Sequence, residues 1–140
     1  LGKPIILHVP KAHDQVAKVL RTHCFVNGGV VHAFSGSEQQ AMRYLDMGFV
    51  LGVGGAATYD RAHRLRSVIQ NLPDDGFVLE TDAPDMSPAF ARKGLNTPLN
   101  LPQIASIVAD LRGQTVEEIS ALTTKRAVEV FHLEGKEIGR

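Results

Sequence analysis

The chain has a single cysteine, no surplus of either charge and no long apolar run. One thiol, Cys24, excludes an internal disulfide framework and fits a reducing, cytoplasmic setting. Fifteen basic residues stand against fifteen acidic ones. That balance removes bulk charge as a reason for nucleic-acid binding, because neutralising phosphates with protein alone needs an excess of Lys and Arg. No stretch approaches the roughly 20 apolar residues of a membrane helix, so no membrane partner is expected. No basic segment leads into an apolar one in the manner of a signal peptide. Repeats, low-complexity tracts and charge runs that would mark a linker are missing as well.

What is present is globular. At 140 residues, 44% hydrophobic and 21% charged, the chain has a one-domain length and composition. A chain of this size can bury roughly two-thirds of its unfolded surface, which is enough for a real core. It opens on Leu1 rather than Met and reaches Ile5-Ile6-Leu7 almost at once, and the expectation is that it begins inside something larger.

Two kinds of segment alternate. Short runs rich in Val, Ile and Leu at 4–8, 29–32, 49–53 and 77–80 read as buried strands, bounded by Gly or Pro as a covered parallel sheet requires. Between them, 11–22 (Ala12, Val16, Val19, Leu20), 37–47 (Ala41, Met42, Leu45, with Ser37 as N-cap) and 61–72 (Leu65, Val68, Ile69, Leu72) carry helical spacing. Residues 83–98 are rich in Pro, Asn and small side chains and read as a long loop, of a length that is usually functional or disordered. Helical spacing returns at 101–111; Thr115 and Glu118 form a capping-box pattern opening another helix, and a last helical stretch covers 124–131. This β/α succession predicts parallel strands joined by right-handed crossovers. Four strands fit a small open sheet, or half of an eight-stranded barrel whose usual length is about 250 residues.

The chemistry-bearing residues sit where the apolar runs stop. The first ends Leu7-His8, the second Val31-His32, and the fourth runs Leu79-Glu80-Thr81-Asp82. The carboxyl ends of parallel strands are where active sites assemble, so residues distant in sequence converge there. Two imidazoles and a carboxylate suit Zn²⁺, Mn²⁺ or related ions and leave an open position for water. Each residue also has a plainer reading: a His at a strand end serves as a hydrogen-bonded rim residue, and an Asp after a strand caps a helix or forms a turn. His13, His23, His63 and His132 read as surface residues, and Cys24 as a small buried or rim residue. Gly52-Val53-Gly54-Gly55 lacks the P-loop and dinucleotide patterns; it reads as a tight turn, or as backbone N–H groups offered to a phosphate.

The phrases Pro4-Ile5-Ile6-Leu7-His8, Val31-His32-Ala33-Phe34-Ser35-Gly36-Ser37, Leu79-Glu80-Thr81-Asp82-Ala83-Pro84, and Asn96-Thr97-Pro98 followed by Leu101-Pro102 come in this order across nearly the whole chain. Together they resemble the TatD family of metal-dependent hydrolases. The resemblance implies an α/β fold of the (β/α)8 TIM-barrel type, with residues 1–140 as its C-terminal half, strands five to eight, and an active-site loop at about 83–100. It makes His8, His32 and Asp82 metal ligands, with Asp82 also orienting or deprotonating the attacking water. Glu80 becomes a partner to those ligands or a structural residue. Ser35, Arg92 and Asn96 fall where substrate contacts are expected, and two divalent ions (Zn, Mg or Mn) are implied for the complete protein.

Three departures stand out. Val9 and Pro10 follow the strand-five His where the family has a small residue and Arg; Thr97 replaces the Glu of Asn-Glu-Pro; and no His-x-His occurs anywhere. The implied activity is metal-dependent hydrolysis of phosphodiesters, DNA among them, with the missing N-terminal half of the barrel as a partner and the fragment alone inactive. Two alternatives stay open: amidohydrolase-type cleavage of a C–N or ester bond, and a non-catalytic half-barrel.

Overall fold

The computed structural model describes residues 2–134. Strands β1 (Ile5–His8), β2 (Gly29–His32), β3 (Phe49–Val53) and β4 (Phe77–Leu79) lie in chain order as one parallel sheet. Helices α1 (His13–Thr22), α2 (Glu38–Asp46) and α3 (His63–Asn71) make the crossovers that parallel pairing requires, and α4 (Leu101–Arg112) and α5 (Val116–Val130) follow the long loop. The register sets Ile6 beside Val30, Val30 beside Val50, and His8 beside His32.

Alternation along the strands gives the sheet two unlike faces. One sends Val31, Phe49, Leu51, Val53 and Phe77 into a continuous core with Leu20, Tyr44, Ile69 and Ile104 from the helices. The other carries Val30, Val50 and Val78, covered by Val130 and Phe131 at the end of α5. Ile6, on that second face, is 65% exposed.

Local chemistry explains most of the boundaries. Ser37 and Thr115 each form a full capping box, with Gln40 and Glu118 respectively, fixing where α2 and α5 begin. The region expected to hold two helices after Thr115 is one continuous helix, since nothing between Val116 and Val130 breaks the backbone. α1 starts two residues later than its apolar spacing suggests, because Lys11 takes a left-handed conformation after Pro10. β4 stops at Leu79 and leaves Glu80 just outside it. The loop holds two short 3₁₀ turns, Ala89–Ala91 and Pro98–Asn100.

Four side chains depart from the sequence reading. His13 is buried rather than on the surface, its ring 5.0 Å from Phe34 and 5.8 Å from Tyr44. Cys24 is exposed, on a left-handed residue just past α1. Val19 and Met42, on the expected apolar stripes, lie at stripe margins and are 57% and 43% exposed. Among the described residues no helix is long and apolar enough to cross a membrane.

Candidate functional site

Neighbouring strands bring the two strand-end histidines together. His8 and His32 are register partners, and their rings stack with centroids 5.7 Å apart. The third participant comes from the far side of β3. That strand has Gly52 opposite Val78, and a Cβ on Gly52 would run into the Glu80 carboxylate, within 2.6 Å of its Cδ. The glycine-rich segment is therefore neither a bare turn nor a phosphate cradle at this point: its missing side chain makes room for Glu80.

Glu80 uses that room to grip β2. Its Oε1 accepts the Ala33 N–H at 2.6 Å, and its Oε2 lies 3.0 Å from His32 Nδ1. An imidazole that donates from Nδ1 to a carboxylate keeps Nε2 free as the ligand nitrogen. Nε2 in turn stands 3.3 Å from Asp82 Oδ1. Burial by itself lowers the His32 pKa, but the hydrogen bond and charge of Glu80, joined by those of Asp82, outweigh it and raise the pKa above its ordinary value. Two acids thus draw positive charge onto one imidazole.

Asp82 reaches this position by a route that strand alternation does not supply. It lies beyond the end of β4 in a left-handed conformation (φ 56°), so Glu80 and Asp82 converge through a turn and not as same-face residues of one strand. Asp is among the few side chains that tolerate that conformation, since its short polar group bonds locally.

The donor chemistry suits a divalent ion: two imidazoles, a carboxylate, and a second carboxylate fixing one imidazole's tautomer. Among the described residues, however, no three His, Cys, Asp or Glu side chains are grouped so as to hold a metal ion. His8, His32 and Asp82 form an open donor set at one end of the sheet.

The other residues expected to contact substrate are Asn96, Ser35 and Arg92. Asn96 is 3% exposed, and its amide is committed to the loop: Nδ2 donates to the Thr81 and Asp85 carbonyls at 2.5 and 2.6 Å, and Oδ1 accepts from Asn100 at 2.8 Å. These bonds tie the loop down. Ser35 lines a separate polar cleft of about 410 Å³ with Lys11, Gln40 and Arg64, and its carbonyl accepts from Arg64 at 3.0 Å. Arg92 lies over the Tyr59 ring, 4.8 Å from the centroid. Sequence reasoning did not single out the Ala33 N–H, Tyr59 or Arg61, and it read Gly52 only as part of a glycine-rich turn. The signal for Gly52 is register, which relates it to Glu80 across strands and has no local pattern.

Comparison with known proteins agrees with this arrangement of strands. A sequence model of the TatD-related DNase family matches residues 1–132. An uncharacterized metal-dependent hydrolase of Haemophilus influenzae is 42% identical over 129 residues, covering 91% of this chain and 49% of that protein. The uncharacterized metal-dependent hydrolase YjjV of Escherichia coli K12 is 38% identical over 130 residues, covering 93% and 50%. The crystal structure of YjjV, a TatD homolog, superposes with a TM-score of 0.87 at 39% identity, covering 92% of this chain and 50% of that one. A TatD family hydrolase from Entamoeba histolytica shares the fold at a TM-score of 0.77 and 20% identity, over 91% and 50%. The chain spans about half the length of the curated relatives it matches. With four parallel strands and a strand-end cluster of His8, His32, Glu80 and Asp82, the chain belongs to the TatD family of metal-dependent hydrolases.

Proposed function

We propose that the chain corresponds to strands five to eight of a TatD-type (β/α)8 barrel and carries half of a site that hydrolyses phosphodiesters, DNA being the expected substrate. The carrying observation is His32, held by Glu80 at Nδ1 and facing Asp82 from Nε2, beside the ring of His8. In this reading His8, His32 and Asp82 are ligands, and the N-terminal half of the barrel supplies the donors that close the set. His8, His32 and Asp82, with donors from the rest of the barrel, would hold divalent metal, which would supply positive charge to acidify water and stabilise the phosphoryl oxygens. Asp82 orients the attacking water and accepts its proton. Glu80 keeps His32 in the ligating tautomer, and Asn96 and the Ala33 N–H keep Asp82 and Glu80 in place from behind. Support for a half-barrel comes from the 65% exposure of Ile6 on the inner face and from an apolar groove of about 420 Å³ along Val78, Leu79 and α5. Uncovered, that surface drives association, so the 140 residues alone are expected to be inactive and prone to self-association.

The test uses the complete barrel: metal content, and hydrolysis of a labelled single-stranded oligonucleotide with and without chelator, for the parent and His32→Ala. The expected result is bound divalent metal, chelator-sensitive cleavage, and a loss of at least about 100-fold in the variant with the fold retained. Full activity of His32→Ala with metal supplied overturns the ligand assignment. Cleavage of small cyclic amides without phosphodiester cleavage moves the reading to C–N bond hydrolysis by the same ligands.

A further inference from the structure

A cleft of about 640 Å³ opens beside the candidate site, lined by Ala56, Tyr59, Arg61, Met86, Ser87 and Arg92 among others. Ala56 and Met86 also line the narrower space bordered by Glu80 and Asp82, so the two share a wall. Tyr59 is fastened in place: its hydroxyl donates to the Ser87 carbonyl at 2.8 Å, joining the segment after β3 to the long loop. Two guanidiniums rest on its ring, with Arg92 Cζ at 4.8 Å and Arg61 Cζ at 5.2 Å from the centroid. Both arginines are exposed, and among the described residues neither forms an ion pair. Asp60, the acid between Tyr59 and Arg61 in sequence, lies 3.5 Å from Arg66 instead.

A guanidinium over an aromatic face is held by its charge and leaves N–H donors for a phosphate, which the guanidinium fork matches in two-point geometry. We infer that Tyr59, Arg61 and Arg92 form a backbone-phosphate subsite for the single-stranded nucleic acid flanking the scissile bond. Arg61 and Arg92 contact the phosphates, and Tyr59 positions both guanidiniums. A single strand fits better than a duplex. The chain has a formal net charge of +0, so it offers no extended basic face for a duplex, whereas a cleft with two free cations and an aromatic support follows one strand. This inference rests on the phosphodiester reading of the neighbouring site and names where its substrate is held.

The experiment runs on the full chain in excess EDTA, so that binding is read without metal. Fluorescence anisotropy of a fluorescein-labelled ten-nucleotide oligothymidylate is followed against salt for the parent, the double variant Arg61→Gln/Arg92→Gln, the double variant Arg61→Lys/Arg92→Lys, Tyr59→Phe and Tyr59→Leu. The glutamine pair is expected to bind at least about ten-fold more weakly, with a log–log salt slope shallower by about 0.7 for each lost phosphate contact. The lysine pair keeps the slope and loses affinity, Tyr59→Phe binds like the parent, and Tyr59→Leu weakens binding without changing the slope. A ten-base-pair duplex binds the parent less tightly than the single strand. Parent-like affinity and slope in the glutamine pair, or no binding by the parent, overturns the inference. Zinc titration of the complete barrel, dialysed free of EDTA, reads the ligand assignment separately: if it takes up no zinc but the oligonucleotide results hold, the metal reading falls and the phosphate subsite stands.

Discussion

The two faces of the sheet are cut from the same four strands, yet the surroundings they offer a histidine are opposite. His13, on the helix side, is 6% exposed between Phe34 and Tyr44, and among the described residues neither ring nitrogen has a hydrogen-bond partner. Burial, helped by the charge of Arg64 and opposed by Asp14, lowers its pKa. There the imidazole serves as an aromatic filler. His32, on the other face, has a carboxylate at each nitrogen and a raised pKa. His13 enters the core from α1, whereas alternation along β2 sends Val31 into that core and His32 to the other face. The buried-polar penalty is tolerated at His13 and avoided at His32, which is what a structural and a ligating imidazole respectively require.

The contrast breaks most visibly through truncation. Phe49 is 1% exposed and lies 5.9 Å from Phe25 and 6.0 Å from Tyr44 between ring centroids. Phe49→Ala is expected to lower unfolding free energy by about 3–5 kcal/mol, the sum of lost transfer energy and an uncollapsed cavity. Ile6→Ala, on the exposed inner face, is expected to change it by less than about 0.5 kcal/mol. Urea unfolding of both variants measures the difference; comparable losses would mean that the inner face is as fully buried in solution as the outer one.

Glu80→Gln sharpens the inner face alone. The amide oxygen still accepts the Ala33 N–H, but its NH₂ must now face His32 Nδ1 as a donor. Nδ1 then becomes an acceptor and the proton moves to Nε2, the nitrogen assigned to ligation. Zinc affinity, read by titration calorimetry, is expected to fall about 10–100-fold with the unfolding midpoint nearly unchanged. Unaltered affinity would show that Glu80 does not set the tautomer.

These two variants also mark what was legible in the sequence. The parallel order followed from apolar runs alternating with helical spacing, and the Ser37 cap and the Thr115–Glu118 capping box were local enough to read directly. The convergence of strand ends was visible as a pattern of His8, His32 and Asp82. What was hidden depends on contacts between distant segments. Gly52 and Glu80 are related only by the register of β3 and β4, and a glycine carries no sign of which side chain fills its space. Asp82 was legible as a residue past the fourth apolar run, but the left-handed turn that brings it to His32 leaves no compositional mark. The loop-fastening role of Asn96 was hidden because its amide bonds go to carbonyls, which any sequence supplies. His13 looked like a surface residue because the aromatic pair enclosing it, Phe34 and Tyr44, comes from other segments.

The mildest test returns to His13. Its pKa in the folded chain lies below the ordinary 6.5, so the folded state disfavours its protonation. The unfolded chain then binds the extra proton first. Its contribution to stability is complete above pH 6.5 and is lost progressively as the pH falls through the lowered folded value. His13→Leu, close to His in volume, removes the titration and the two unpartnered nitrogens together. At pH 7 the change is expected to stay within about 1 kcal/mol, since relief of the buried polar atoms offsets imperfect packing. Urea midpoints for parent and variant from pH 8 to pH 5 give the sign: the parent should lose stability relative to the variant on acidification. His32, with its raised pKa, contributes the opposite slope, holding stability below pH 6.5 and losing it as the pH rises through its folded value, and it is common to both proteins. Subtracting the two curves therefore isolates His13, and parallel curves would mean that its ring is hydrated in solution and that the helix-covered face is not the dry side of the sheet.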